Sequence, residues 1–161
     1  MRSAVVGLAL LALTGCSAPA SETAPAAAAP SRADNARIKG VLEDAGLIGT
    51  WGVNCAGPLN SAEWETIGIE ADGTPKTHLG GGTLTTDYVI VDAARTAPGE
   101  VKATVNADDQ RLVIVYRVEA DRQMTWSSNV EGGQALITDG VSISGRQSAW
   151  YNRCPNGLPA S

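Results

Sequence analysis

Phenylalanine is missing from this chain, and histidine occurs once, at His78. With one imidazole and no CxxC or Cys/His spacing, there is no ligand set for a structural zinc site, and neither a metal nor another cofactor is expected. As a general base His78 would need a nucleophile and an orienting carboxylate close by, and its sequence surroundings nominate neither. It reads as an exposed histidine on an edge strand. Gly80-Gly81-Gly82 is followed by no helix whose amides could face a phosphate, so it reads as a flexible loop. Gly140-Val141-Ser142-Ile143-Ser144 misses the nucleophile-elbow pattern by its last glycine and lacks the strand-to-helix setting, which leaves a hairpin. Glu63 and Glu65 flank Trp64, and alternating acids beside a buried indole mark a solvent face. No catalytic residue is expected, and a hydrolase survives only if folding sets His78 beside a serine and an acid.

Positive charge is also scarce. Twelve basic residues stand against 17 acidic ones, and their scatter offers no footprint for phosphate backbones, so nucleic-acid binding is excluded. No apolar run approaches the roughly 20 residues a membrane-spanning helix requires. The longest, Ala4 to Leu13, follows Arg2 and precedes Thr14 and Gly15, the three-part layout of a secretory signal over residues 1–15. An ordinary cleaved signal is the simpler alternative.

Leu13-Thr14-Gly15-Cys16 resembles the lipobox of bacterial lipoproteins. The resemblance implies that Cys16 carries diacylglycerol, that the chain is cut just before it, and that the new amino terminus is acylated too. One acyl chain holds a protein marginally, at roughly 0.8 kcal/mol per buried methylene, whereas two or more anchor it stably. The membrane is thus an expected partner through the acyl chains on Cys16. Ser17, in place of an aspartate, is associated in such families with sorting to the outer membrane, facing the periplasm. With Cys16 consumed by lipid, Cys55 and Cys154 are left as a pair, which reads as a disulfide in an oxidising compartment. Two buried free thiols or metal ligands are the alternatives.

Residues 16–33 hold the lipidated cysteine and a stretch of Ala, Pro, Ser and Thr with too little apolar surface to order itself. It reads as a tether reaching up to roughly 50 Å at about 3.1 Å per residue. The domain is assigned to residues 34–158, with a tail at 159–161. Ile38, Val41, Leu42 and Ala45 recur at helical spacing, with Asp34 or Asn35 as cap and Gly46 as terminator. From Ile48 the period changes to two. Strands are expected near 48–54, 63–70, 75–79, 83–92, 100–106, 111–119, 123–130, 135–138 and 147–153, with turns at Asp72-Gly73, Asp108-Asp109, Gly132-Gly133 and Asp139-Gly140. The fold class is all-β: a small antiparallel up-and-down barrel or sandwich of about 8–9 strands with one short N-terminal helix.

Gly49-Thr50-Trp51, opening the first strand directly after a helix, resembles the GxW signature of lipocalin-like (calycin) barrels. The resemblance implies that Trp51 plugs one end of a barrel beneath a basic side chain, Arg153 or Arg146. Leu47-Ile48-Gly49-Thr50-Trp51 followed by Cys55 is similar to the start of Inh-type protease-inhibitor barrels, although there the second cysteine comes early. GTWxxxC and WYNRC together resemble uncharacterised envelope proteins. All seven remaining aromatics are Trp or Tyr, each with a polar edge. Trp64, Tyr88, Tyr116 and Trp126 are candidates to line a ligand pocket, against the simpler reading of ordinary core. The expected function is a non-enzymatic, membrane-anchored envelope lipoprotein that binds a small amphipathic ligand or an envelope protein. Inhibition of a protease or a lysozyme-like enzyme is the alternative.

Overall fold

The computed structural model describes residues 30–56, 63–81 and 84–155. The expected signal segment, Cys16, the tether up to residue 29 and the tail lie outside the described residues.

Helix α1 (Arg32–Asp44) starts one turn earlier than expected. Its cap is Ser31, not Asp34 or Asn35: the Asp34 amide donates to Ser31 Oγ, and the Asp34 carboxylate accepts from the Ser31 amide. This reciprocal pairing satisfies two amides that the first turn leaves unpaired, and the Ser31 hydroxyl, which donates to Asp34 Oδ2 at 2.6 Å, together with the Ser31 amide holds the Asp34 carboxyl below its ordinary range. The helix ends as expected at Gly46, whose φ is +68°. Gly46 N donates to Glu43 O and Leu47 N to Leu42 O, the paired bonds of a Schellman stop. Leu42 and Leu47, both fully buried, pack into the core beside Ile38.

Among the described residues ten strands follow: β1 (Gly49–Gly52), β2 (Trp64–Ile69), β3 (Pro75–Gly81), β4 (Leu84–Ala97), β5 (Glu100–Ala107), β6 (Gln110–Glu119), β7 (Arg122–Val130), β8 (Ala135–Thr138), β9 (Val141–Ser142) and β10 (Tyr151–Arg153). β1 to β7 form an antiparallel meander, and β10 inserts between β7 and β1 to close an eight-strand barrel. The β8–β9 hairpin stands outside that ring as an arm hydrogen-bonded to β7. β4 runs five residues beyond its expected end at 92. Register shifts between Ile90 and Asp92 and between Arg95 and Ala97 break the two-residue alternation there, so the pattern hides a continuous strand.

Helix α1 covers one end of the barrel. Arg37 donates to Ala93 O and pairs with Asp92, and Arg95 donates to Asp44 O. The helix residues Ile38 and Leu42 join Ile67, Ile90, Val101 and Tyr116 in one buried cluster.

Cys55 and Cys154 are bonded, with Cα atoms 5.3 Å apart. β1 and β10 are antiparallel, with Gly52 opposite Asn152, so an extended chain would carry the two cysteines apart. β1 instead stops at Gly52, and a turn brings Cys55 Sγ to 3.7 Å from Asn152 O. The bond therefore clamps the short closing strand across a loop of 99 residues. Replacing both partners (Cys55→Ser, Cys154→Ser) is expected to lower the unfolding free energy by about 2–5 kcal/mol, read as a lower urea midpoint. An unshifted midpoint would show that barrel closure does not lean on this bond.

Candidate functional site

The end beneath the helix is sealed around Trp51, which is fully buried. Its Nε1 donates to Leu47 O at 2.9 Å, and the Arg153 guanidinium lies 4.2 Å from the ring centroid. Arg153 Nη1 donates to Ile48 O at 2.9 Å and Nη2 to Gly46 O, so one side chain ties the last strand to the helix stop. Of the two basic residues expected to cover the indole, Arg153 does so, while Arg146 pairs elsewhere. Gly49 has φ of +146°, and a Cβ there would sit 2.7 Å from Arg153 Nη1. The glycine of the GxW motif thus leaves room for the cation that covers the tryptophan.

Glu65 lies inside the barrel, opposite Trp51 in register and 3 % exposed. This overturns its expected place on a solvent face. Glu65, Ile67 and Ile69 share one parity, and Trp64, Thr66 and Gly68 share the other. The isoleucines, rather than the indole, mark the buried face. Glu65 Oε1 accepts from Tyr116 Oη at 2.7 Å and from Thr77 Oγ1 at 2.8 Å, while Oε2 accepts from Gln123 Nε2 at 2.7 Å. Thr77 and Gln123 carry no sequence signal, because their role arises only when β3 pairs beside β2 and the closed ring brings β7 within reach of Glu65. Burial pushes the Glu65 carboxyl above its ordinary range against the pull of these three donors, and it pushes the Tyr116 phenol well above its own. Two hydroxyls and an amide can each donate or accept, so this network serves a neutral acid as readily as a carboxylate. Gln123 Oε1, buried without a partner, is an acceptor such an acid could reach once the amide turned.

The four rings proposed to line a pocket do not share one. Tyr116 and Tyr88 belong to the core or pack against it. Trp64 points outward, its ring against Gly80, where a Cβ would fall 2.3 Å from Cε2. Gly80 and Gly81 therefore belong to strand β3 rather than to a flexible loop, and close ring packing explains the glycine. Trp126 also lies on the outer face, stacked by Arg117 at 3.5 Å. The bore is occupied by the side chains of its own strands, and the described clefts open outside it.

His78 sits on β3 between β2 and β4, not at an edge. Its Nδ1 lies 2.8 Å from Asp87 Oδ1 and its Nε2 3.1 Å from Glu70 Oε1. Among the described residues both ring nitrogens meet carboxylates rather than a hydroxyl. Among the described residues no group of three potential ligands is disposed to hold a metal.

A cleft of about 220 Å³ opens between the arm and the barrel, with Met124, Ile137, Gln147 and Ser148 in its walls. Glu63 stands at its rim, 2.7 Å from Arg146 Nη2 and 3.3 Å from Tyr151 Oη. Unlike Glu65, Glu63 meets its expected solvent exposure.

Two outcomes follow from the buried groups. Gly49→Ala is expected to cost about 1–3 kcal/mol by displacing Arg153 in a left-handed backbone position, and thermal unfolding reads it. The folded state holds the Glu65 proton more tightly than the unfolded chain, whose carboxyl titrates near its ordinary 4.5. The Glu65 contribution to stability is fullest below that value and is lost as pH rises through the higher folded-state value. The difference in urea midpoint between wild type and Glu65→Gln should therefore fall with rising pH; a difference that rises would refute a raised carboxyl.

Comparison with known proteins finds no matching family model, no matching curated sequence and no matching solved structure.

Proposed function

We propose that this protein is an acyl-anchored lipoprotein of the bacterial envelope, held in the outer membrane facing the periplasm, whose barrel is a non-enzymatic binding module working through its outer surface. The anchor rests on Leu13-Thr14-Gly15-Cys16 and the signal layout before it. The observation that carries the binding reading is the filled bore: Trp51, Glu65, Tyr116 and Gln123 occupy it, each no more than 3 % exposed. A small apolar ligand would have to displace a hydrogen-bonded core, whereas the arm cleft and the outer face are already open. This favours an envelope protein or a polar molecule over a lipid-like cargo. A protein-directed inhibitor fits the same preference for the outer surface, and slowed turnover of a periplasmic metalloprotease or a lysozyme would mark that role.

Two measurements test the reading. The native protein should have the mass of a chain that begins at a lipidated Cys16, and Cys16→Ala should move it from the membrane fraction to the soluble one. A native mass beginning at Met1, or an unmodified thiol at Cys16, would remove the anchor. In envelope vesicles, a photo-crosslinking side chain at Ser148, in the cleft, should give a discrete adduct that one at the exposed Lys102 of β5 does not. Equal adducts at both positions would count against the cleft as the working surface.

A further inference from the structure

The cleft between arm and barrel has a specific arrangement of charge. Glu63 is carried on the barrel at the start of β2, and the Tyr151 hydroxyl lies 3.3 Å from its Oε2. Arg146 is carried on the arm. Its backbone is pinned to Ser142, since Arg146 N donates to Ser142 Oγ at 3.1 Å and Ser142 N donates to Arg146 O at 2.9 Å. Its side chain is 72 % exposed. The two ends of the Glu63–Arg146 ion pair are therefore unequal: the carboxylate keeps a second donor when the pair opens, and the guanidinium swings on a fixed backbone. Exposed ion pairs contribute little to stability, so opening this one is nearly free.

Between these charges the walls supply hydroxyls and an amide from Ser142, Ser148 and Gln147, and an apolar patch from Met124 and Ile137. Met124 is 4 % exposed and wedged against Gly140 of the arm, which makes the floor a fixed surface. The volume of about 220 Å³ accommodates a compact molecule rather than a folded segment.

We propose that this cleft binds a small zwitterion of the amino-acid or short-peptide class, with its carboxylate on Arg146, its ammonium on Glu63 and its short apolar body on Met124 and Ile137. The ligand exchanges one weak intramolecular ion pair for two charge-assisted contacts. Arg146 can take a carboxylate in a two-pronged contact, and Glu63 already has a neighbour that holds its orientation. Apolar molecules, and molecules carrying a single charge, lack one half of this exchange. The inference rests on the reading of the arm cleft as the working surface and adds the chemistry of what occupies it.

The test is calorimetric titration of the full-length protein in detergent with dialanine, N-acetyl-dialanine and dialanine amide. Dialanine should bind saturably with a dissociation constant on the order of millimolar or below. Blocking either end should weaken binding at least about tenfold, as loss of one charged contact implies. Arg146→Gln should abolish the preference for dialanine over its amide while keeping the preference over the acetylated form, and Glu63→Gln should do the reverse. Far-UV spectra and melting curves confirm that both variants are folded. Failure of dialanine to saturate, or blocked forms binding as well as dialanine, overturns the proposal. So does a pair of variants that lose both preferences alike. If dialanine fails while the Ser148 adduct persists, the zwitterion is wrong and the binding-module reading stands; if both fail, both are wrong.

Discussion

The contact of Arg153 with Trp51 holds the architecture together. A barrel of eight strands leaves an opening at each end, and at one end an indole closes it beneath a guanidinium. That guanidinium also binds the carbonyls that follow the helix, so one residue of the last strand fixes the first strand, the helix stop and the seal. Its geometry depends on Gly49, whose missing Cβ is the space Nη1 fills. The disulfide secures the same strand at the residue that follows it. β10 has only three residues in strand pairing, so few backbone bonds hold it against β1 and β7.

With one end sealed and the interior filled, the open clefts of the described residues lie outside the bore. Inside, a carboxylate is surrounded by Tyr116, Thr77 and Gln123, groups able to donate or accept as the proton comes and goes. Burying such an acid is costly unless its hydrogen bonds are made. In return the network gives the bore a polar geometry specific to these four residues and links stability to pH. It is a core feature rather than an accessible reaction centre. Outside the ring the arm pairs with β7 and sets the exposed Arg146 guanidinium against Glu63, whose carboxylate also accepts from Tyr151.

Much of the fold was legible because its signals are local. The α1 stripe, the Gly46 stop and the alternating strands from β5 to β7 each follow from residues within a few positions of one another. Local pattern and tertiary pairing diverge at three places. β4 was cut short because two register shifts interrupt its period. Glu65 was assigned to the wrong face because a tryptophan outweighed two isoleucines of the opposite parity. Gly80 was read as flexibility although a ring occupies its missing side chain. The candidate site was less legible still: Glu63 and Arg146 are 83 residues apart, and only the arm's return from β9 brings them together.

By itself the sequence determined the class of the domain, its helix, most of its strand boundaries and the tryptophan of its seal, since each of these depends on periodicity, turn chemistry or a short motif. Only the tertiary structure decided which way β2 faces, that β10 rather than β9 closes the ring, and that Cys55 folds back to meet Cys154. The physical reason is that inward and outward are properties of strand pairing, not of residue type. A side chain acquires its surroundings only when strands distant in sequence set its register.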